Sequence, residues 1–375
     1  MNNTSSNKKF DLSDSLASLY SKDTLSARQA QYLAHQISYA PVIFQISRLM
    51  LKFGIFKLLS DHPEGISVEE ISAQSNLSLY AVQILLESSL TLGTILVNPQ
   101  TSLFTLSKTG WFLLNDSRVK INLEFNHAVN YLGLYHLEES LLSGKPEGLK
   151  HFGSWNTIYE GLTQLPPETQ ASWFAFDHFY SDESFEEALK IILSTHPRKL
   201  LDIGGNSGRW ALRCVQTNPD IQVTVLDLPS QLEVLQKTIA GQPGAERIHC
   251  IPGDILSSQT LIPEGFDVIW MSQFLDCFSA ELIILILRKV LFSMNEKTLL
   301  YILELFWDKQ NFEASAFCLT QTSPYFTAMA NGYSKIFHSQ ELTNYLTTVG
   351  LEIKNIHNHL KGDHTLLCCR KPHFI

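Results

Sequence analysis

The chain has 375 residues, of which 45% are hydrophobic and only 17% charged, and its formal net charge is −9. These numbers allow one large domain or two ordinary ones with filled cores. The negative charge argues against nucleic acid as a main partner, because phosphate backbones are bound by clustered Lys and Arg.

The sequence carries no signal for a membrane or for export. It has no run of about 18 or more apolar residues, so no membrane-spanning helix is predicted. Its N-terminal residues are polar and lack the pattern of a signal peptide, and we expect a cytoplasmic protein. The cysteines are scattered without metal-ligand spacing, which favours buried apolar thiols and no metal site: Cys214, Cys250, Cys277, Cys318, Cys368 and Cys369.

The first third of the chain has a helical pattern. Residues 1–22 are polar and are expected to form a mobile arm or to dock on a partner subunit. From Ala27 to Leu51 apolar residues recur at helical spacing, and Pro41 is expected to divide this stretch into two helices. Three short helices and a two-stranded wing are predicted over residues 53–107. That order of elements is typical of a winged helix.

A winged helix by itself suggests DNA binding. The helix in the recognition position offers Ser78, Tyr80 and Gln83, but neither Arg nor Lys. Without cations to meet the phosphates, DNA binding is disfavoured.

Residues 121–180 are predicted to be helical and are rich in histidine and aromatic residues. Core packing is the ordinary role of such aromatics. His127 and His178 have polar or aromatic neighbours and are candidates to contact a bound small molecule.

The most informative run is residues 199–210. Its first half is apolar and predicts a buried parallel strand. Gly204 and Gly205 follow and allow a tight turn with close approach of the backbone to a ligand. Asn206 tolerates a left-handed conformation, and Gly208 then opens a helix whose N-terminus faces the turn.

Acidic residues end the next two strands. Asp227 follows a strand and lies 25 residues after Asp202, where a ribose diol would be held. Asp254 ends the third element, and two more apolar strands follow at residues 266–271 and 299–304. The G-x-G-x-x-G pattern of dinucleotide sites is absent. The constellation resembles the class I S-adenosylmethionine-dependent methyltransferases.

The C-terminal part is expected to complete a sheet. A helix over residues 339–349 is predicted to be capped by Ser339 and to end at Gly350. Two strands, over residues 351–356 and 365–369, fit an antiparallel pair that closes the sheet.

From about residue 45 to 371 the chain resembles the O-methyltransferase family of plant caffeate and acetylserotonin type. The resemblance implies an α/β fold, with a Rossmann-like class I core of seven strands behind an N-terminal α-helical winged-helix dimerisation domain. It implies three regions: residues 1–118 for the arm and dimerisation domain, 119–185 for a helical connector lining the acceptor pocket, and 186–375 for the cofactor-binding domain. The expected partners are a small-molecule acceptor and a second copy of the chain.

The same resemblance implies S-adenosyl-L-methionine as cofactor and S-adenosyl-L-homocysteine as product. Asp227 should bridge the ribose hydroxyls, with Leu228 against the adenine. Asp254 should accept from the adenine amino group, with Ile255 beside it.

The methionine end of the cofactor has its own expected contacts. Gly204, in the turn with Gly205, should contact the methionine portion. Ser272 and Gln273 stand where the family touches the amino-acid end. Asp202 is expected to fix the turn or to meet the cofactor's ammonium. The acceptor should be lined by five residues, His127, Tyr131, His178, Tyr325 and Met329.

The family places a histidine base just after the fourth strand, and here Asp276 takes that position. Glu304 matches the acid that orients the base. A second acid expected near residue 331 is replaced by Asn331. Asp276 could instead be a helix N-cap before Ser279.

Three explanations of the altered motif stay open. Asp276 acts as the base if burial raises its pKa. Alternatively, alignment of the acceptor with the methyl group suffices. Or methyl transfer is lost, leaving decarboxylation, hydroxylation or a winged-helix cofactor sensor. We expect a methyltransferase, with Asp276 and Glu304 as catalytic residues and a small, aromatic acceptor. The sequence does not identify the acceptor or whether O, N, S or C is methylated.

Overall fold

The computed structural model describes residue 12 and residues 14–372. The chain divides into two compact units, which are taken separately. One contains Lys22–His127, and the other contains the described residues up to Ser21 together with those from Ala128 onward. The expected arm lies partly outside the described residues; its described part forms helix α1 (Asp14–Tyr20), in which Leu16 is buried.

The unit Lys22–His127 contains short helices and one hairpin. They are α2 (Ala27–Ser38), α3 (Ala40–Lys52), α4 (Ile55–Asp61), α5 (Val68–Ser75), α6 (Leu79–Leu92), β1 (Ile95–Val97), β2 (Phe104–Leu106), α7 (Lys108–Asn115) and α8 (Ser117–Phe125). The predicted division at Pro41 is confirmed: the proline lies in the first turn of α3, where a missing N–H costs no helical hydrogen bond.

Local signals explain where these helices begin and end. Ser67 and Ser78 cap α5 and α6 by accepting a backbone N–H three residues on. Asn76 and Gly93 end the same helices in the left-handed conformation. The hairpin pairs antiparallel from Ile95 with Leu106 to Val97 with Phe104. The expected order, three helices and then a two-stranded wing, is present.

The second unit holds the larger sheet and the helices around it. The helices are α9 (Leu137–Ser143), α10 (Ile158–Gly161), α11 (Pro167–Ser181), α12 (Phe185–Leu193), α13 (Arg209–Thr217), α14 (Pro229–Ile239), α15 (Ala280–Ser293), α16 (Glu313–Tyr325) and α17 (Ser339–Val349). The strands are β3 (Lys199–Ile203), β4 (Gln222–Asp227), β5 (Ile248–Pro252), β6 (Val268–Ser272), β7 (Leu299–Glu304), β8 (Glu352–Leu360) and β9 (His364–Arg370).

Within the described residues these strands form one seven-stranded sheet in the order β5-β4-β3-β6-β7-β9-β8. The first five are parallel, and β9 pairs antiparallel with β7 and β8. The predicted class I α/β core is confirmed, as is the closing antiparallel pair. Because β4 and β6 flank β3 on opposite sides, the strand order reverses there, and a ligand crevice opens at the carboxyl ends of these strands.

Apolar side chains fill both faces of the sheet. Leu200 belongs to the cluster on one face, whereas Leu201 and Ile203 belong to the cluster on the other. On the first face Trp210 of α13 stacks on Trp270 of β6, with ring centroids 4.0 Å apart. The two clusters hold the carboxyl ends of β3 and β6 in fixed positions. Among residues 14–372 no helix is both long enough and apolar enough to cross a membrane.

The cap of α17 differs from the predicted one. Ser339 donates its hydroxyl to Asp308 at 2.6 Å, so it is not available as a cap. His338 takes the role and accepts from the backbone N–H of Gln340. The predicted end at Gly350, in the left-handed conformation, is confirmed.

Candidate functional site

The glycine turn follows β3 directly. Gly204 has a φ of 75°, and a Cβ built on it would lie 2.2 Å from the ring of Phe274. Asn206 and Gly208 also have positive φ, and α13 begins at the next residue. A side chain at position 204 would therefore be strained and would collide with Phe274. The turn keeps bare backbone at the crevice.

Asp227, at the end of β4, is tied to this turn. The backbone N–H of Asn206 donates to its Oδ2 at 2.8 Å, and that of Leu228 donates to its Oδ1 at 2.7 Å. Burial raises the pKa of Asp227 to about 6, against the two amide hydrogen bonds, which lower it. Each carboxylate oxygen has further lone pairs, so the partly exposed group can accept from a ligand diol.

Asp202 lies beneath the turn in β3. It is 2% exposed, and its Oδ2 has no hydrogen-bond partner among the described residues. Burial, and then the nearby Asp227, raise the pKa of Asp202 well above its usual value. Ser272, at the end of β6, also has a buried hydroxyl without a partner in the described chain. Unpaired polar atoms of this kind are expected where a ligand completes the site.

The predicted adenine side lies one strand further out. β5 pairs with β4 so that Pro252 is opposite Asp227, and Asp254 follows two residues later. Asp254 is exposed and accepts from the N–H of Leu256 at 2.9 Å, while Ile255 is buried. The three acids Asp202, Asp227 and Asp254 thus come from adjacent strands at one edge of the sheet.

These residues fit S-adenosylmethionine. The cofactor is a cation at its sulfonium, and it carries a diol and an ammonium group. The glycine turn admits close approach, Asp227 offers acceptors for a diol, and Oδ2 of the buried Asp202 has no donor among the described residues. Carboxyl groups whose pKa burial raises would be stabilised as carboxylates by a neighbouring cation.

Gln273 has a different environment from the expected one. It has a φ of 45°, its Nε2 donates to the carbonyl of Tyr180 at 2.9 Å, and it lies 3.3 Å from Nε2 of His364. Its side chain thus joins the end of α11 to β9. A cofactor contact by Gln273 stays a prediction.

Asp276 lies in the turn after β6 and is 7% exposed. The N-cap alternative is wrong, because Ser279 caps α15 by accepting from the N–H of Leu282. Burial raises the pKa of Asp276 to about 6. The side chain is therefore not committed to a helix cap, and it is a stronger base than an ordinary carboxylate.

Glu304, at the end of β7, supports the backbone of that turn. It is 1% exposed and accepts from the N–H of Leu275 at 3.2 Å and from the N–H groups of Phe274 and Asp276. Burial, and then Asp276, raise its pKa well above its usual value. The hydrogen bonds show Glu304 holding the main chain that carries Asp276.

Asn331 stands where the family has a second acid. Its Nδ2 donates to the carbonyl of Cys277 at 2.8 Å and to Ser334 Oγ at 2.7 Å. Its Oδ1 accepts from the N–H groups of Tyr333 and Ser334. A carboxylate could not make the two donations, so the amide is the residue type that this turn requires.

Two further residues, Asp177 and Tyr159, act on the segment around Asp276 and are not among the predicted site residues. Asp177 of α11 accepts from Nδ2 of Asn206 at 2.9 Å, and burial, then Asp182 and Asp276, raise its pKa to about 7. Tyr159 of α10 forms a side-chain hydrogen bond with Cys277. A lone acid inside the aromatic run 173–180 was a signal for the first; nothing in the sequence indicated the second.

The predicted acceptor residues fall in several places. His178 lies 3.5 Å from Ser207 Oγ, beside the glycine turn, and burial followed by Arg209 lowers its pKa to about 4. Tyr325 accepts from Nε1 of Trp173 at 2.7 Å and is electrostatically coupled to Asp276.

The other three, Met329, His127 and Tyr131, have different surroundings. Met329 is buried and packs against Gly133. His127 is the last residue of the unit Lys22–His127 and lies in the π-helical turn Asn126–Asn130; Tyr131, in the other unit, is partly buried just after that turn. No group of three or more His, Cys, Asp or Glu that could hold a metal ion exists among the described residues.

Two family models match this chain. Residues 31–102 match the family model of the Dimerisation2-like domain, and residues 136–351 match that of the O-methyltransferase domain. The L-tyrosine C(3)-methyltransferase of Streptomyces lavendulae is 27% identical over 69% of this chain and 70% of its own. The acetylserotonin O-methyltransferase of Macaca mulatta is 24% identical over 59% of this chain and 66% of its own.

A solved structure agrees on the fold. The structure of the mitomycin 7-O-methyltransferase superposes with a TM-score of 0.69 at 18% sequence identity, covering 92% of this chain and 98% of that one. The O-methyltransferase family model spans more than half of the present chain. The chain therefore belongs to the O-methyltransferase domain family and is an S-adenosylmethionine-dependent methyltransferase.

Proposed function

We propose that this enzyme methylates the hydroxyl group of a small aromatic acceptor and that Asp276 takes up the acceptor's proton. The observation that carries the proposal is the environment of Asp276. Its carboxyl group is buried at the carboxyl edge of β6, it caps no helix, and its pKa is raised to about 6. The main chain beneath it is fixed by Glu304.

The cofactor residues are proposed by their place around the glycine turn. Asp227 and Leu228 hold the ribose and adenine, with Asp254 and Ile255 at the outer edge. Asp202, Gly204, Gly205, Ser272 and Gln273 surround the methionine portion. When bound, S-adenosylmethionine supplies a methyl group on a positively charged sulfur. The chain's own part is to orient that group, exclude water and receive a proton.

The acceptor class follows from the lining and from the relatives. The names of the two relatives specify tyrosine and acetylserotonin, which are both aromatic and carry a hydroxyl group; the first name specifies methylation at carbon 3 and the second at oxygen. In this chain Nε1 of Trp173 donates to the hydroxyl of Tyr325, and both side chains are buried. Burial raises the pKa of Tyr325, and the nearby Asp276 raises it further. His127, Tyr131, His178, Tyr325 and Met329 are the proposed acceptor residues. Aromatic walls suit a flat acceptor.

A carboxylate is sufficient for this proton. An aromatic hydroxyl becomes strongly acidic as its oxygen bonds to the incoming methyl group, so the base is needed only as that bond forms. Because its pKa is raised, Asp276 is a stronger base than an ordinary carboxylate. Its pKa is therefore closer to that of an aromatic hydroxyl group. Asp276 therefore replaces the family's histidine without requiring a full phenolate beforehand.

We further propose that two copies associate through the N-terminal unit, in keeping with its family description. Ile37, Tyr39 and Val42 of the α2–α3 region are exposed by 67%, 63% and 54%. Exposed apolar side chains that lie close together, as these three do within six residues of sequence, are typical of a protein–protein interface. Ile37→Glu should shift the mass measured by light scattering from dimer towards monomer, and an unchanged dimer would contradict this surface.

The test of the activity is release of S-adenosylhomocysteine with a panel of small phenols. The wild type should release it, and Asp276→Asn should lower kcat by about 100-fold or more, because a general base is lost. Glu281→Gln, an exposed acid in the same segment, is the matched control and should change little. Product NMR identifies the methylated atom. Full turnover by Asp276→Asn would remove the base assignment, and cofactor binding without S-adenosylhomocysteine release would indicate a different reaction.

A further inference from the structure

Cys277 follows Asp276 and is placed against it. Its Sγ lies 3.5 Å from Oδ1 of Asp276, within reach of a thiol hydrogen bond. Burial, and then Asp276, raise the pKa of Cys277 well above its usual value, so the group remains a thiol and can donate. The contact directs a donor at one of the two oxygens of the proposed base.

The position of the thiol is fixed from two sides. Asn331 donates to the carbonyl of Cys277 at 2.8 Å and anchors its main chain. Tyr159 forms a hydrogen bond with the thiol, and since burial raises the pKa of Tyr159, its hydroxyl keeps its proton and donates to Sγ. The thiol has two acceptors within reach, Oδ1 of Asp276 at 3.5 Å and the carbonyl oxygen of Gln273 at 4.0 Å, and Asp276 is the nearer. The three side chains form a directed chain, Tyr159 to Cys277 to Asp276.

We propose that Cys277, oriented by Tyr159, is a positioning residue that occupies Oδ1 of Asp276 and leaves Oδ2 as the oxygen that takes the acceptor's proton. The proposal rests on the proposed role of Asp276. A neutral donor beside the base favours its ionised form, whereas an acid there would repel it.

In the proposed step one bond forms, one bond breaks and one proton is transferred. The acceptor oxygen forms a bond to the methyl carbon, and the carbon–sulfur bond of the sulfonium breaks with its electron pair going to sulfur. The acceptor's proton passes to Oδ2 of Asp276. The Cys277 thiol and the Tyr159 hydroxyl keep their protons throughout and stabilise the carboxylate before the transfer.

Other ionisable groups also act on Asp276. Glu304 approaches from β7, Asp177 from α11 and Tyr325 from α16, and each is electrostatically coupled to it. These neighbours are unchanged in a Cys277 variant. The hydrogen bond from Asn331 is also kept, because it reaches the backbone carbonyl. A change caused by Cys277→Ala therefore reports the thiol contact itself.

The test is the pH profile of kcat/KM for the full-length enzyme. Cys277→Ala should move the acid limb upward by about 0.5 to 1 pH unit, because the carboxylate loses one hydrogen bond. Cys277→Ser, which restores a donor, should return the limb towards the wild-type position. Tyr159→Phe should move it in the same direction as Cys277→Ala, by less. Cys250→Ala, a remote cysteine on β5, should leave it in place.

A second measurement does not depend on turnover. NMR titration of 13C-labelled aspartate, with the Asp276 signal assigned from Asp276→Asn, should show the same upward shift in Cys277→Ala. An unmoved limb together with an unmoved titration would overturn the proposal. If the wild type methylates nothing, the proposed function fails, and the carboxyl titration still decides whether the thiol acts on Asp276.

Discussion

The backbone N–H of Asn206 donates to Oδ2 of Asp227 at 2.8 Å, which ties the glycine turn to the acid that ends the neighbouring strand. Asn206 also donates through its side chain to Asp177 on α11. One residue of the turn thus links the proposed ribose acid to a helix on the acceptor side. Under the proposed assignments, the hydrogen bonds of Asn206 connect the cofactor side of the site to the acceptor side.

Asp227→Ala should weaken binding of S-adenosylhomocysteine by about 10- to 100-fold, because hydrogen bonds to a charged acceptor contribute about 1.5–3 kcal/mol each. Asp227→Asn keeps one oxygen acceptor for the turn and should lose less. Isothermal titration calorimetry measures both. Asp267→Ala is the control; Asp267 lies at the opposite end of the sheet and accepts from the backbone N–H groups of Arg198 and Lys199. Equal affinities for wild type and Asp227→Ala would mean that the ribose is held elsewhere.

Gly204→Ala should disrupt the site more than a similar change elsewhere. Gly241 has a φ of 72°, close to the 75° of Gly204, but no atom lies within 4 Å of the position that a Cβ would take there. Gly241→Ala therefore measures the cost of the backbone conformation alone, about 1 kcal/mol. Gly204→Ala adds the collision with Phe274, so its melting temperature should be lower and its cofactor affinity at least about 10-fold weaker. Matching losses in the two variants would contradict the close contact.

Much of this region could be predicted from the sequence because the signals are local. A buried parallel strand is an apolar run, as at Leu200 and Leu201, and a turn with positive φ selects glycine, as at Gly204. Asp227 could be placed because the ends of parallel strands meet at one edge of the sheet. The Pro41 break and the Gly350 stop were predictable for the same reason.

The contacts that define the acceptor side could not be predicted in this way. Asp177 meets Asn206 across 29 residues of sequence, and Tyr159 reaches Cys277 from a separate helix. Such pairs are set by helix packing, which no local pattern encodes. The cap of α17 shows the same limit on a small scale, since Asp308 captures Ser339 and moves the cap to His338.

Glu304→Ala should destabilise the fold as well as slow the reaction. Its carboxyl group accepts from the N–H of Leu275 at 3.2 Å, and the N–H groups of Phe274 and Asp276 also lower its pKa; all three donors would lose this acceptor. Each unsatisfied donor costs about 1–3 kcal/mol, so the free energy of unfolding should fall by at least about 2 kcal/mol. Urea unfolding measures it. Glu313→Ala, at the first turn of α16, is the control, and equal unfolding curves for the two variants would exclude the supporting role.

The buried acids make the stability of the cofactor-free protein depend on pH. Burial raises the pKa of Asp227 and Asp276 to about 6 and that of Asp177 to about 7, and it raises those of Asp202 and Glu304 further. Between its ordinary and its raised pKa, each acid binds more proton in the folded than in the unfolded state. Their stabilisation is therefore complete below about pH 4 and is lost as the pH rises through the raised values.

The free energy of unfolding without cofactor should consequently fall by at least about 1 kcal/mol between pH 5 and pH 8. His178 opposes this trend with a single proton, because its pKa is lowered to about 4 and its contribution grows as the pH rises towards its ordinary value. Urea unfolding at the two pH values measures the difference, and Asp276→Asn should reduce it.

Binding of the cationic S-adenosylmethionine should expel protons from these acids near pH 6, seen by calorimetry in buffers of different ionisation enthalpy. S-adenosylhomocysteine, which lacks the sulfonium charge, should expel fewer. Equal proton release by the two ligands would show that the acids do not sense the sulfonium.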